Sequence, residues 1–175
     1  MEMKEFYYQN GIRVSVFNLD HKSVPFHKHE RVSDIMYCSK GSILIDLPDL
    51  QRRVKVQQGG IFQIPVGTRH RFSNSEKNGI ESRYVLMQLG DFNIQFERNH
   101  AELQSELNQV PVDTYSCSVV FIENRKPDIV LLADEFEESK PQTLSDEEAR
   151  DVVVALRAFA MNGKESPYPL VDALV

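Results

Sequence analysis

Three of the five histidines in this 175-residue chain stand in two short clusters. The first cluster is His27-Lys28-His29, with Asp34 five residues on and Gly41 beyond it. On a strand, residues i and i+2 point to the same face. His27 and His29 can therefore aim at one point. Asp34 begins the next strand after a short turn and offers a carboxylate oxygen. The second cluster is Gly59, Pro65, Gly67, His70 and Asn74. Its Pro65-Val66-Gly67 turn delivers His70 at the start of a strand. Three imidazoles and one carboxylate suit a divalent transition metal such as Fe, Mn, Ni, Cu or Zn. Two other readings stay open: a metal-free pocket for an organic ligand, and a purely structural set of histidines.

Other residues carry weaker signals. Met36 and Cys38 share the face of Asp34 at period two and are expected to line the pocket. A buried free cysteine is ordinarily inert packing. Arg69 and Arg71 flank His70 and should point away from it, towards solvent. His21 and His100 have no partners in sequence and read as surface residues. Gln63, Arg83 and Tyr84 lie on predicted strands whose inward faces cannot be assigned by spacing. No nucleophile elbow, phosphate-cradling glycine loop or lysine suited to Schiff-base chemistry stands out.

The elements that must position these groups are mostly strands. Ile12 to Phe17 and Arg53 to Val56 alternate apolar and polar residues. Ser42 to Leu47, Gly60 to Pro65 and Ser82 to Leu89 add further strands. Asn10-Gly11, Lys40-Gly41, Gly59-Gly60 and Asn78-Gly79 supply turns between them. Short strands about ten residues apart predict an all-β sandwich or barrel. Beyond residue 92 the pattern changes. A short helix is expected over 100–108 and a strand over 115–123. Pro127 marks a helix start, with Ile129, Leu132, Ala133 and Phe136 on one face. Ser145-Asp-Glu-Glu148 is a capping box. It opens a second helix with an apolar stripe of Ala149, Val152, Val153, Leu156, Phe159 and Ala160. Leu170 to Val175 reads as the first turns of another helix. The chain divides into a barrel, residues 1–112, and a segment 113–175 of one strand and amphipathic helices.

Composition bounds the function. The chain is 41% hydrophobic and 26% charged, with 2 Cys and 8 Gly, as expected of a globular protein. No apolar run approaches the ~18 residues of a spanning helix, and no signal-peptide stretch opens the chain. A cytoplasmic protein is expected, with Cys38 and Cys117 as free thiols and no membrane partner. Residues 1–112 hold 14 Lys+Arg against 13 Asp+Glu, whereas 113–175 hold 6 against 13. This balance argues against nucleic-acid binding by this chain alone, because a phosphate backbone calls for a clustered basic surface.

The two clusters together resemble the motifs of the cupin superfamily. The first family motif runs His-x-His, three or four residues, Glu, six residues, Gly; here Asp34 stands for Glu. The second runs Gly, five residues, Pro-x-Gly, two residues, His, three residues, Asn, and is matched in full from Gly59 to Asn74. The resemblance covers about residues 10–90. It implies a mainly β fold, a small antiparallel jelly-roll-like barrel, here with a C-terminal α-helical appendage. It also implies metal ligands at His27, His29, Asp34 and His70. Aspartate is shorter than glutamate by one methylene, roughly 1.3–1.5 Å of chain. Asp34 is thus either the fourth ligand or a partner of a bound water or an imidazole. The order of barrel and helices resembles the sensor half of arabinose-operon-regulator-type (AraC-type) transcription factors. That likeness implies a small-molecule effector, a homodimer, and a DNA-binding half following in the gene. A free-standing metal-dependent cupin enzyme, of the dioxygenase or isomerase class, is the alternative. The apolar stripe from Ala149 to Ala160 could pair across a dimer or pack on its own barrel.

Overall fold

The computed structural model describes residues 1–115 and 119–165; Cys117 and the predicted helix start at 170–175 lie outside them. The chain runs through β1 (Glu2–Gln9), β2 (Ile12–Leu19), β3 (His27–Lys28), β4 (Val32–Lys40) and β5 (Ser42–Leu47). It continues through β6 (Arg52–Gln57), β7 (Ile61–Ile64), β8 (Arg71–Asn74), β9 (Ser82–Gly90) and β10 (Gln95–Phe96). Helix α1 (His100–Leu107), β11 (Val112–Tyr115), β12 (Val120–Phe121), α2 (Lys126–Glu138), α3 (Asp146–Met161) and β13 (Gly163–Lys164) complete it. A five-stranded antiparallel sheet in the order β1-β2-β9-β4-β7 faces a four-stranded sheet in the order β11-β6-β5-β8. The fold is mainly β, two facing sheets with helices at the C-terminal end. The two sheets face each other without joining into one closed hydrogen-bonded cylinder.

The inner strands β2, β4 and β9 of the five-stranded sheet are buried on both faces. Phe17, Met36, Cys38, Tyr84 and Leu86 fill the space between the sheets with Ile43, Ile45 and Val54. Val14, Val16, Ile35, Val85 and Met87 point the other way, onto Ile129 and Leu132 of α2 and Val152, Leu156 and Phe159 of α3. The alternation in Ile12–Phe17 has an unexpected sense as a result. Its apolar residues Ile12, Val14 and Val16 meet the helices, while Arg13 and Ser15 share the parity of the inward Phe17. The α3 stripe is thereby packed in the chain's own core, except Val153, which is half-buried outside it.

Several sequence expectations shift. Of the strand expected over 115–123, residues 116–118 lie outside the described residues; Tyr115 ends β11, parallel to β6, and Val120–Phe121 form β12, parallel to β13. The boundary expected after residue 112 falls at the first residue of β11. Arg71 is packed rather than solvated: it bonds Asp46 and Gln104, and its guanidinium lies 4.2 Å over the Phe26 ring. His100 is half-buried, accepts the Phe26 N–H at 3.3 Å and stacks on that ring. Gly41 sits at φ +68°, and a Cβ there would fall 2.3 Å from Ser82 Oγ. Only glycine meets both demands.

The capping box forms as expected, and Glu148 does more than cap. Its carboxylate accepts from Ser145 N at 2.8 Å, Lys4 Nζ at 2.8 Å and Asn18 Nδ2 at 2.8 Å. It thus ties α3 to β1 and β2 while only 2% exposed. Burial alone would raise its carboxyl, but these donors outweigh it and hold it at about 2. A depressed folded-state value stabilises above the unfolded value of about 4.3 and is lost as pH falls. Glu148→Gln is expected to cost about 2–3 kcal/mol at pH 7. The gap to wild type should close between about pH 4.3 and 2, as urea unfolding over a pH series would read.

Candidate metal centre

His27 and His29 lie on and just after β3, Asp34 on β4, and His70 just before β8. The backbone brings the two motifs together directly. His27 N donates to His70 O at 3.1 Å and His70 N to His27 O at 2.9 Å. Gly67, at φ +79°, donates its N–H to His29 O at 2.7 Å. All four side chains are buried, and one ligand atom from each lies within 4.8 Å of the others. Ligands about 2.0–2.2 Å from one ion stand within roughly 4.4 Å of each other, so slight contraction would seat one.

The hydrogen bonds set the state of each ring. His27 Nδ1 meets Pro25 O at 2.7 Å, His29 Nδ1 meets Asn93 O at 2.5 Å, and His70 Nδ1 meets Thr68 O at 2.8 Å. A carbonyl only accepts, so each Nδ1 carries a proton and each ring turns its Nε2 inward. This is the usual outer support of metal-bound histidines. Asp34 Oδ2 lies 3.0 Å from His70 Nε2 and 3.3 Å from His29 Nε2. Lone pairs facing at those distances repel unless a proton or a cation lies between them. The donor set therefore fits a divalent ion, with Asp34 supplying its only anionic ligand atom.

Burial and charge act differently on the members of the cluster. Burial, and next the neighbouring His70, push His27 down to about 3, so it is neutral at physiological pH. Burial also pulls His29 down, but the charge and hydrogen bond of Asp34 outweigh this and leave it raised. Asp34 resists ionisation through burial, yet His29 and His70 hold it well below the usual carboxylate range.

The sequence did not single out two further members of the site. Gln88 on β9 stands directly opposite Asp34 on one side and Arg13 on the other in the strand register. Its amide nitrogen donates to Asp34 Oδ1 at 2.8 Å, and its oxygen accepts from Arg13 Nη1 at 2.6 Å. One row across three strands thus orients the carboxylate. Only the register could have revealed it. Asn93 is the other: beyond holding His29, its side chain accepts the N–H groups of Glu30 and Arg31 at 3.1 and 3.2 Å.

Beside the histidines lies a cavity of about 200 Å3, walled by Phe17, Phe72, Tyr84, Leu86, Phe92 and Phe96 among others. Met36 and Cys38 point inward but are packed in the closed interior cluster, and neither lines this cavity. Burial pushes the Cys38 thiol up to about 12, which leaves it unreactive. Tyr84 faces in, whereas Gln63 bonds Ser33 and the Phe121 backbone, and Arg83 reaches out to Glu147 and Asp151 on α3. Asn74 organises the turn before β9 by accepting from Ser82 Oγ at 2.6 Å and Glu76 N at 2.9 Å. Arg69 pairs with Asp49, and His21 is exposed. A larger groove of about 390 Å3 near Tyr7, Arg125 and Glu135 holds none of the histidines.

Gln88→Ala frees Asp34 from its row. Loss of such an outer partner typically weakens metal binding 10–100-fold. We expect about that loss for Zn2+ in a competitive chelator titration, with the fold intact by circular dichroism.

No family model matches the chain, and no curated protein matches it. Solved structures resemble it in part. A double-stranded β-helix protein from Klebsiella pneumoniae is 16% identical, with a TM-score of 0.47 over 53% of this chain and 75% of that one. The polyketide cyclase RemF from Streptomyces resistomycificus is 23% identical, with a TM-score of 0.45 over 58% and 73%. A cupin-2 domain protein from Shewanella frigidimarina is 16% identical, with a TM-score of 0.42 over 50% and 79%. The chain's structural neighbours thus include cupin and double-stranded β-helix proteins, and its His27, His29, Asp34 and His70 form a cluster able to hold a metal.

Proposed function

We propose that the protein binds a divalent transition metal and, beside it, a small organic ligand, and that it serves as the effector-sensing module of an AraC-type regulator. One observation carries the metal reading. Three rings with Nδ1 committed to outward carbonyls turn their Nε2 atoms towards a buried carboxylate. A bound metal would supply a Lewis-acidic centre with room for an exogenous ligand.

The sensing role is supported by the double use of the five-stranded sheet. Asp34 and Gln88 point into the site, while their chain neighbours Ile35 and Met87 pack in the core shared with α2 and α3. A ligand that favours one arrangement of these strands would bias the helices, provided its affinity differs between the two states. A cytoplasmic homodimer belongs to this reading. Because the α3 stripe is buried, pairing would use outward residues such as Leu131, Val154 and Met161, which are 59%, 51% and 78% exposed. Any DNA contact would fall to another segment. Among the described residues no helix is long and apolar enough to cross a membrane.

The enzyme reading is favoured by the cavity lying against the ligand cluster, where a substrate could meet the ion. Against it stands the lining. Outside the metal set its titratable groups are Arg13 and Tyr84, and burial raises the Tyr84 hydroxyl well above its ordinary value. Neither is a general base near neutral pH.

Elemental analysis of protein grown with added Fe, Mn, Ni, Cu and Zn is the direct test. About one metal per chain is expected, falling to background in a His27→Ala/His70→Ala double variant. Metal-free wild-type protein would overturn the metal reading. Oxygen consumption or isomerase turnover by the metal-bound protein would decide for the enzyme.

A further inference from the structure

The walls of the cavity bear on what it holds. Resting on the metal reading above, we infer that the occupant is a small flat monoanion of the aromatic carboxylate class, its carboxylate recognised by Arg13.

Charge comes first. A dication held by Asp34 and three neutral imidazoles leaves one positive charge in excess. Arg13 adds none, because Glu5 pairs with it at 2.7 Å. Net charge in a buried site is costly, and a monoanion removes it. The polar lining then sets orientation. Arg13 is 9% exposed and lines the cavity. It donates one bond to Gln88 and one to Glu5. A guanidinium has five N–H groups, so three have no protein acceptor among the described residues. Its plane is fixed, with the central carbon 3.9 Å from the centroid of the Phe92 ring. That geometry matches the planar fork with which arginine takes a carboxylate. The Tyr84 hydroxyl, also without a hydrogen-bond partner among the described residues, adds a further donor.

Shape comes second. Phe17 and Tyr84 stack with their rings 4.7 Å apart and 7° from parallel, and Phe72 meets Tyr84 edge-on. Phe92 and Phe96 stand near His29 and His27 at the mouth. At about 200 Å3 the cavity is smaller than the roughly 300–1,000 Å3 of drug-sized pockets. A single ring bearing one carboxylate fits that space and those surfaces.

The test is calorimetry on protein reconstituted with Co2+, with benzoate, its neutral isostere benzamide, and acetate as probes. Metal content is measured on every sample. Benzoate is expected to bind at least about tenfold more tightly than benzamide or acetate, as loss of a charge-assisted bond or of the ring would dictate. Compared at equal bound Co2+, Arg13→Gln should weaken benzoate by about tenfold and benzamide by much less. A merely structural arginine would weaken both alike, and that result would overturn its assignment. Should Arg13→Gln fail to fold, the wild-type series still decides. Equal affinity for benzoate and benzamide, or acetate binding as tightly as benzoate, overturns the inference and leaves the metal site standing. Protein that takes up no Co2+ overturns both.

Discussion

Asp34 is a carboxylate at 2% exposure, and a charge so placed must be balanced where it stands. His29 and His70 face it from one side, where a proton or a cation between them and the carboxylate would supply that balance, and the Gln88 amide supplies a donor from the other. Much of the surrounding architecture serves this arrangement. The His27–His70 backbone bridge fixes the distance between the motifs, and carbonyls of Pro25, Asn93 and Thr68 fix the rings. Taken without a cation, the cluster must share protons among groups that face one another with lone pairs. A divalent ion resolves that conflict at a single point.

That the carboxylate is an aspartate's rather than a glutamate's affects how it is held. A shorter side chain reaches less far, so its backbone must lie closer and its rotamer must be set. The Arg13–Gln88–Asp34 row does the setting. Arg13 polarises and orients the Gln88 amide, whose nitrogen then grips Asp34. The same arginine is stacked on Phe92 and paired with Glu5, so the rim of the cavity and the ligand cluster are mechanically one unit.

The five-stranded sheet also joins the site to the helices. Its inner parity holds polar and aromatic residues around the cavity, and its outer parity is apolar and covered by α2 and α3. Close-packed interiors transmit small displacements. Glu148 adds a polar tie, holding the first turn of α3 to Lys4 and Asn18 on β1 and β2.

The sequence by itself determined the four residues of the buried cluster, the strand-rich body and both long helices. Those features are local: i and i+2 share a strand face, Pro65-Val66-Gly67 makes a turn, and Ser145 with Glu148 caps a helix within four residues. Only the tertiary structure decided what these local pieces meet. Arg13 and Gln88 are ordinary polar residues on alternating strands until register places them in one row with Asp34, 21 and 54 residues away along the chain. Parity predicts that Met36 and Cys38 point inward, but whether an inward side chain meets a cavity or close packing depends on the opposing sheet. The α3 stripe likewise reads the same whether it covers a partner or its own sheet, because periodicity records that a face is buried and not by what.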